Sequence, residues 1–160
     1  MIALDTRLVI LLLLSLSPLV EPRYALIAST ITGLTIAERL LVALASTFIL
    51  SLVLPYLIPL IDSTVVELLR HTPLRGLVEA YYRYRIRVAR WAKRHEGISL
   101  IGLIGFIALP LPFTGMWSGA LAGYLLGLSR SRIIVALLCG GLSSIAVILV
   151  AVTLASLLLG

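Results

Sequence analysis

Two short clusters in this chain set polar or ionisable residues inside apolar sequence. The first, Ser17-Pro-Leu-Val-Glu-Pro-Arg23, carries Pro18, Glu21 and Arg23. The second, Leu109-Pro-Leu-Pro-Phe-Thr-Gly-Met-Trp117, carries Pro110, Pro112, Thr114, Gly115 and Trp117. Charges at membrane depth are costly and by default mark a functional path. Pro22 suits the first turn of a helix. Glu21 then falls at that helix's positive end, where an anion is favoured. Arg23 stands two residues on and points to a different face, so both side chains are expected to find partners in the second cluster or in another subunit. Thr114 is placed to cap a second helix through its hydroxyl, and Gly115 opens the backbone for close approach. Two helix N-termini near one point, with free backbone donors, suit phosphate or carboxylate. Arg23 strengthens such a site, whereas Glu21 opposes it unless protonated or paired. Burial disfavours the charged form of Glu21 while Arg23 favours it, and a carboxyl balanced in this way can exchange a proton for substrate. The expected roles are Glu21 as coupling group and Arg23 as anion contact or counter-ion. A structural ion pair that only steadies the turn is the plainer alternative.

The elements that must hold these clusters are helical and apolar. Of 160 residues, 61% are hydrophobic and 12% charged, about half the charge of an ordinary soluble domain. Residues 40–61 and 133–160 are uncharged apolar runs, each exceeding the roughly 20 residues a membrane-crossing helix needs. The expected fold is an all-α, polytopic integral membrane protein forming one domain over residues 1–160. Four shorter stretches, 8–20, 24–34, 98–109 and 113–128, fall in pairs. A helix as long as the first covers only ~20 Å, against about 30 Å of hydrocarbon. Each pair is broken by prolines, which remove a donor and clash with the preceding turn. The reading is two re-entrant hairpins whose broken tips point inward, since such backbone cannot face lipid.

Shifting the chain by 94 residues overlays its halves: Pro18 on Pro112, Ala28 on Ala122, Gly33 on Gly127, Leu34 on Leu128 and Thr35 on Ser129. Repeat one is expected over 8–61 and repeat two over 98–160, inverted in the membrane as in many secondary transporters. Gly115, Gly119, Gly123 and Gly127 form a four-residue series that lets another backbone come close. The overlaid row is Glu21, Ala25, Ser29 and Gly33. A dimer would bury the hairpins further.

Between the repeats, residues 63–97 hold eight Lys and Arg, and the loop 129–132 adds Arg130 and Arg132. The positive-inside rule places both in the cytoplasm of a multi-pass cell-membrane protein. Leu77, Tyr81, Tyr84, Val88 and Trp91 recur at helical spacing, flanked by Arg83, Arg87, Arg90 and Arg94. That pattern suits an interfacial helix on anionic lipids, and no nucleic-acid recognition motif accompanies it. Residues 1–20 resemble a signal peptide, but cleavage after Ser17 would cut into the Pro18–Arg23 cluster, so the segment is expected to be kept. Cys139 has no partner for an internal disulfide. His71 and His95 lack metal-protease spacing, and no acid, base and nucleophile converge. Neither catalysis, a metal nor a cofactor is expected.

At the two tips the sequence resembles the small multidrug export family of prokaryotic membrane proteins. The resemblance rests on Glu21-Pro22-Arg23, on Pro110-Leu-Pro112-Phe-Thr114-Gly115-Met-Trp117-Ser-Gly119 and on Gly127-Leu128-Ser129. Phe113 and Ile27 depart from that family's pattern. The resemblance implies an exporter. Its superfamily relation to the DedA group implies re-entrant hairpins and proton-coupled transport or flipping of lipid phosphates. The expected function is a proton-coupled exporter working between the hairpin tips on a lipid phosphate or other amphiphilic small molecule. Export of cationic or apolar drugs through Glu21, Trp117 and Phe113 is a variant of it, and a non-transporting membrane scaffold is the alternative.

Overall fold

A computed structural model describes residues 6–18, 20–28, 33–70, 75–111 and 114–159. These form α1 (Thr6–Ser15), α2 (Glu21–Ala28), α3 (Ile36–Arg70), α4 (Arg75–Arg94), α5 (Glu96–Ala108), α6 (Met116–Leu125) and α7 (Arg130–Leu159). Only α3 and α7 are long and apolar enough to cross a membrane among the described residues. At 1.5 Å per residue they measure about 52 and about 45 Å. α3 does not stop near residue 61, as the end of the apolar run suggested, but continues to Arg70. Residues 62–70 bring in charge without a helix breaker, and Val66 is still buried. Pro55 and Pro59 are accommodated within the helix. The packed face on either side of them runs through Leu50, Leu54 and Ile58, four residues apart.

The long helices pack against each other. α1 and α2 lie on α3, and α5 and α6 lie on α7. In addition α2 reaches α7, and α6 reaches α3. Leu54, Ile107 and Leu137 are wholly enclosed at the centre. Two glycines make room for Ile107: a Cβ at Gly119 would strike its side chain, and one at Gly140 would lie 2.6 Å from its Cβ. The glycine series therefore serves α6 differently from the expectation. Its neighbours are mainly side chains: Ile107 at Gly119, Ile133 and Leu103 at Gly123, and Ala89, through its Cβ and its backbone Cα, at Gly127.

Helix ends follow local chemistry. Thr35 and Glu38 form a reciprocal cap on α3. The Glu38 N–H donates to Thr35 Oγ1 at 3.3 Å, and the Thr35 N–H donates to Glu38 Oε2 at 2.8 Å. α6 ends in a Schellman turn. Leu128 N–H reaches Gly123 O at 3.1 Å and Gly127 N–H reaches Tyr124 O at 3.0 Å, with Gly127 at φ +70°. Gly33 holds the matching position at φ +69° before α3. Gly127→Ala is expected to cost about 1–2 kcal/mol from the left-handed backbone alone. Thermal unfolding in detergent checks this, and Gly127→Asn should lose less.

α4 packs along the protein on one side. Val78 and Ala92 are buried, Tyr81 and Val88 are half-buried, and Tyr84 is 61% exposed. Tyr81 and Arg85 reach Asp62 on α3. The side chains of Leu77 and Trp91 lie outside the described residues. Arg83, Arg87, Arg90 and Arg94 are exposed as expected. The two basic loops share one end of the molecule. Lys93 and Arg132 line one cavity with residues 126–129, and Arg130 lies over the Tyr56 ring at 4.8 Å.

Candidate functional site

Glu21 opens α2 in the left-handed region, at φ +50°. A non-glycine residue there costs on the order of 1–3 kcal/mol and tends to mark a functional site. This backbone removes the helical geometry that would send Glu21 and Arg23 to different faces. The two side chains instead meet, with Arg23 Nη2 2.9 Å from Glu21 Oε2. Both are buried, at 4% exposure for the Arg23 side chain and 8% for that of Glu21.

The second cluster closes around this pair. Arg23 Nη1 donates to the Leu109 carbonyl at 2.7 Å, and Nη2 donates to that of Leu111 at 2.9 Å. The Trp117 backbone N–H donates to the Glu21 carboxylate. Gly115 lies directly under that carboxylate, so a Cβ there would fall on its oxygens. A buried ion pair holds only when its remaining hydrogen bonds are met, and here the α5–α6 break meets most of them. The N-terminal anion position of α6 is thus taken by the chain's own carboxylate.

Thr114 does not cap α6. Gly115 occupies the N-cap position, with no side-chain cap. The Thr114 hydroxyl is held inside the turn, 2.6 Å from Leu109 O and 2.8 Å from Leu111 O, and accepts the Leu111 N–H at 3.3 Å. These are the same two carbonyls that Arg23 grips, so Thr114 shapes the receptor for the guanidinium. Pro18 and Pro110 stand exposed in the two breaks and interrupt the helices without lining the pair. Pro112 and Phe113 lie outside the described residues.

Beside the ion pair the free space is only about 10 Å³, room for one water molecule and no substrate. Larger space lies on the other side of Trp117. A groove of about 640 Å³ runs between α3, α4 and α6, within the size range of small-molecule sites. Its walls are mainly Ile58, Val65, Val66, Val78, Leu121 and Leu125. Trp117 joins the two regions: its backbone N–H holds Glu21 and its ring lines the groove. Its indole Nε1 is buried, with no hydrogen-bond partner among the described residues.

One edge of the groove is polar, which sequence reasoning missed. Asp62 accepts from Tyr81 Oη at 2.6 Å, from Tyr124 Oη at 2.8 Å and from Arg85 Nη1 at 3.2 Å. The Arg85 guanidinium also lies over the Tyr124 ring at 4.1 Å. Burial and the adjacent carboxylate push the Tyr81 phenol above its ordinary range, so it stays a neutral donor at physiological pH. The available signal was Asp62 itself, the first acid after the uncharged apolar run. No group of three or more metal-binding side chains occurs among the described residues.

No curated protein and no solved structure matches this chain. Residues 21–147 match the family described as "Putative small multi-drug export protein". The matched region begins at Glu21 and takes in the α5–α6 break, the Arg23 clamp, Asp62 and the groove. With most of its length covered, the chain belongs to this small multidrug export family.

Proposed function

We propose that this protein is a cell-membrane exporter of amphiphilic small molecules, which bind in the groove between α3, α4 and α6 and are coupled to a proton on Glu21. The observation that carries this reading is the double engagement of Trp117. A molecule pressing on the ring in the groove acts on the same residue whose N–H steadies the Glu21 carboxylate. The groove suits an apolar body with a polar end toward Asp62 and Tyr81. An anionic headgroup at the tips has less support, because two carbonyls and Glu21 already surround the Arg23 guanidinium. Among the described residues no acid, base and nucleophile converge in the groove.

We read the architecture as an inverted repeat of two re-entrant hairpins, the build that a DedA relationship would imply. Short helices support this: α1, α2, α5 and α6 have 10, 8, 13 and 10 residues. Exchanging α1–α3 with α5–α7 also turns the helix packing pattern into itself. Positions equivalent under the 94-residue shift touch, Glu21 against Gly115 and Thr47 against Gly141. Contacts of this kind are what a pseudo-twofold axis between the halves would produce. The exposed basic face of α4 then lies on anionic cytoplasmic headgroups.

The test is efflux of a fluorescent amphiphile from proteoliposomes under an imposed pH gradient. Leu121→Trp fills the groove from an exposed position and is expected to cut transport by roughly tenfold, about 1.4 kcal/mol of lost binding, with unchanged thermal stability. Glu21→Gln is expected to remove the dependence on the gradient. Wild-type transport by the Leu121 variant would dismiss the groove, and gradient-driven transport by Glu21→Gln would dismiss the coupling role.

A further inference from the structure

Four buried polar atoms converge on the small space beside the ion pair. They are Glu21 Oε2, Arg23 Nε, Thr47 Oγ1 and Ser144 Oγ, and none has a hydrogen-bond partner among the described residues. The Glu21 oxygen touches Arg23 Nη2 as an ion pair without hydrogen-bond alignment. All four residues line the same space of about 10 Å³, closed otherwise by Ile107, Met116 and the two glycines 115 and 141. Buried polar groups left unsatisfied cost about 1–3 kcal/mol each, so four around one void call for a shared partner.

We infer that this void is a binding site for one water molecule, which joins Thr47 of α3 and Ser144 of α7 to Glu21 and hands protons to its carboxylate. The proton role rests on reading Glu21 as the coupling group, whereas the water site does not. The size fits, since a single water needs about 10–15 Å³ of such space. Donor and acceptor counts fit as well. Arg23 Nε only donates, an ionised carboxylate only accepts, and each hydroxyl does either. A water accepts from Nε and from one hydroxyl, and donates to Oε2 and to the other hydroxyl. All four atoms and all four of its positions are then satisfied. A sodium ion would find three oxygens but would face the Nε–H dipole of a cation.

Proton transfer follows the same bonds. A proton that reaches the site from bulk water arrives on this water as hydronium: its O–H toward Oε2 breaks as the carboxyl O–H forms, and neutral water is left in place with both hydroxyls intact. Among the described residues no titratable side chain from α3, α5, α6 or α7 lines the site, so Arg23 is the charged neighbour of Glu21 there. Thr47 and Ser144 are positioning residues, acting through the water.

The first experiment is a structure of the full chain in lipid that resolves ordered water. One peak is expected within hydrogen-bond distance of Thr47 Oγ1, Ser144 Oγ and Glu21 Oε2. An empty void overturns the site. A peak that becomes strongly scattering when thallium replaces sodium identifies a monovalent cation and also overturns it. The second experiment is infrared spectroscopy of hydrogen–deuterium exchange at the Glu21 carboxyl band, assigned by its loss in Glu21→Gln. In Thr47→Val/Ser144→Ala the band should remain and its exchange should slow by about tenfold. Unchanged exchange overturns the hand-over. If that double variant does not fold, Ser144→Ala alone should slow exchange measurably. A water peak in a protein whose Glu21 never protonates supports the site and sinks the coupling reading.

Discussion

Gly115→Ala is expected to be among the most damaging single substitutions in this protein. The alanine Cβ would occupy the place of the Glu21 carboxylate. The backbone is not the obstacle, since Gly115 sits at φ −93° and ψ −162°, a conformation open to any residue. The effect must therefore come from displacing the carboxylate. That displacement breaks its contact with Arg23 and with the Trp117 N–H, and leaves a buried guanidinium uncompensated, at a cost of about 3–5 kcal/mol. Thermal unfolding in detergent should show a large loss, and export should be abolished. Coupling gives a sharper check. In Glu21→Ala/Gly115→Ala the collision is gone, so the double variant should be no less stable than Glu21→Ala alone. Additive losses would place the carboxylate somewhere other than over Gly115.

Arg23→Ala is expected to lose a similar amount, about 3–5 kcal/mol, for the complementary reason. It strips the donors from the carbonyls of Leu109 and Leu111 and from Glu21 together. Arg23→Lys should recover only part of this, because an ammonium cannot reproduce the fork that reaches three acceptors. Glu21→Gln/Arg23→Met should recover stability further, since replacing both members of a buried pair costs less than removing one. Its gradient-driven export should nevertheless stay absent. That separation of stability from transport distinguishes a coupling pair from one that only steadies the turn. A neutral result for Arg23→Ala would mean that the guanidinium reaches water and that the clamp does not form.

Much of the scaffold was legible in the sequence because hydrophobicity and helix breakers act locally. The two long apolar runs, the proline breaks and the common end of the basic loops all follow from residue type and spacing. The clusters at the two breaks were also identified, and the chain does bring them together. What spacing could not supply was conformation. Glu21 and Arg23 pair only because Glu21 leaves the helical region, which no periodicity argument anticipates. Thr114 stood where a cap belongs, but the carbonyls of its own turn were nearer. Asp62 finds Tyr81, Arg85 and Tyr124 across 19, 23 and 62 residues of sequence, a distance at which local pattern carries no information.

The contact between positions 21 and 115 bears on stoichiometry. Were the two halves identical, each would bring a glutamate to the same spot, and two carboxyl groups would compete for one volume. On the inverted-repeat reading proposed above, the halves have diverged, with the acid kept in one and glycine in the other. Each molecule therefore carries a single carboxyl at its centre, and a transport cycle run through it moves one proton there at most.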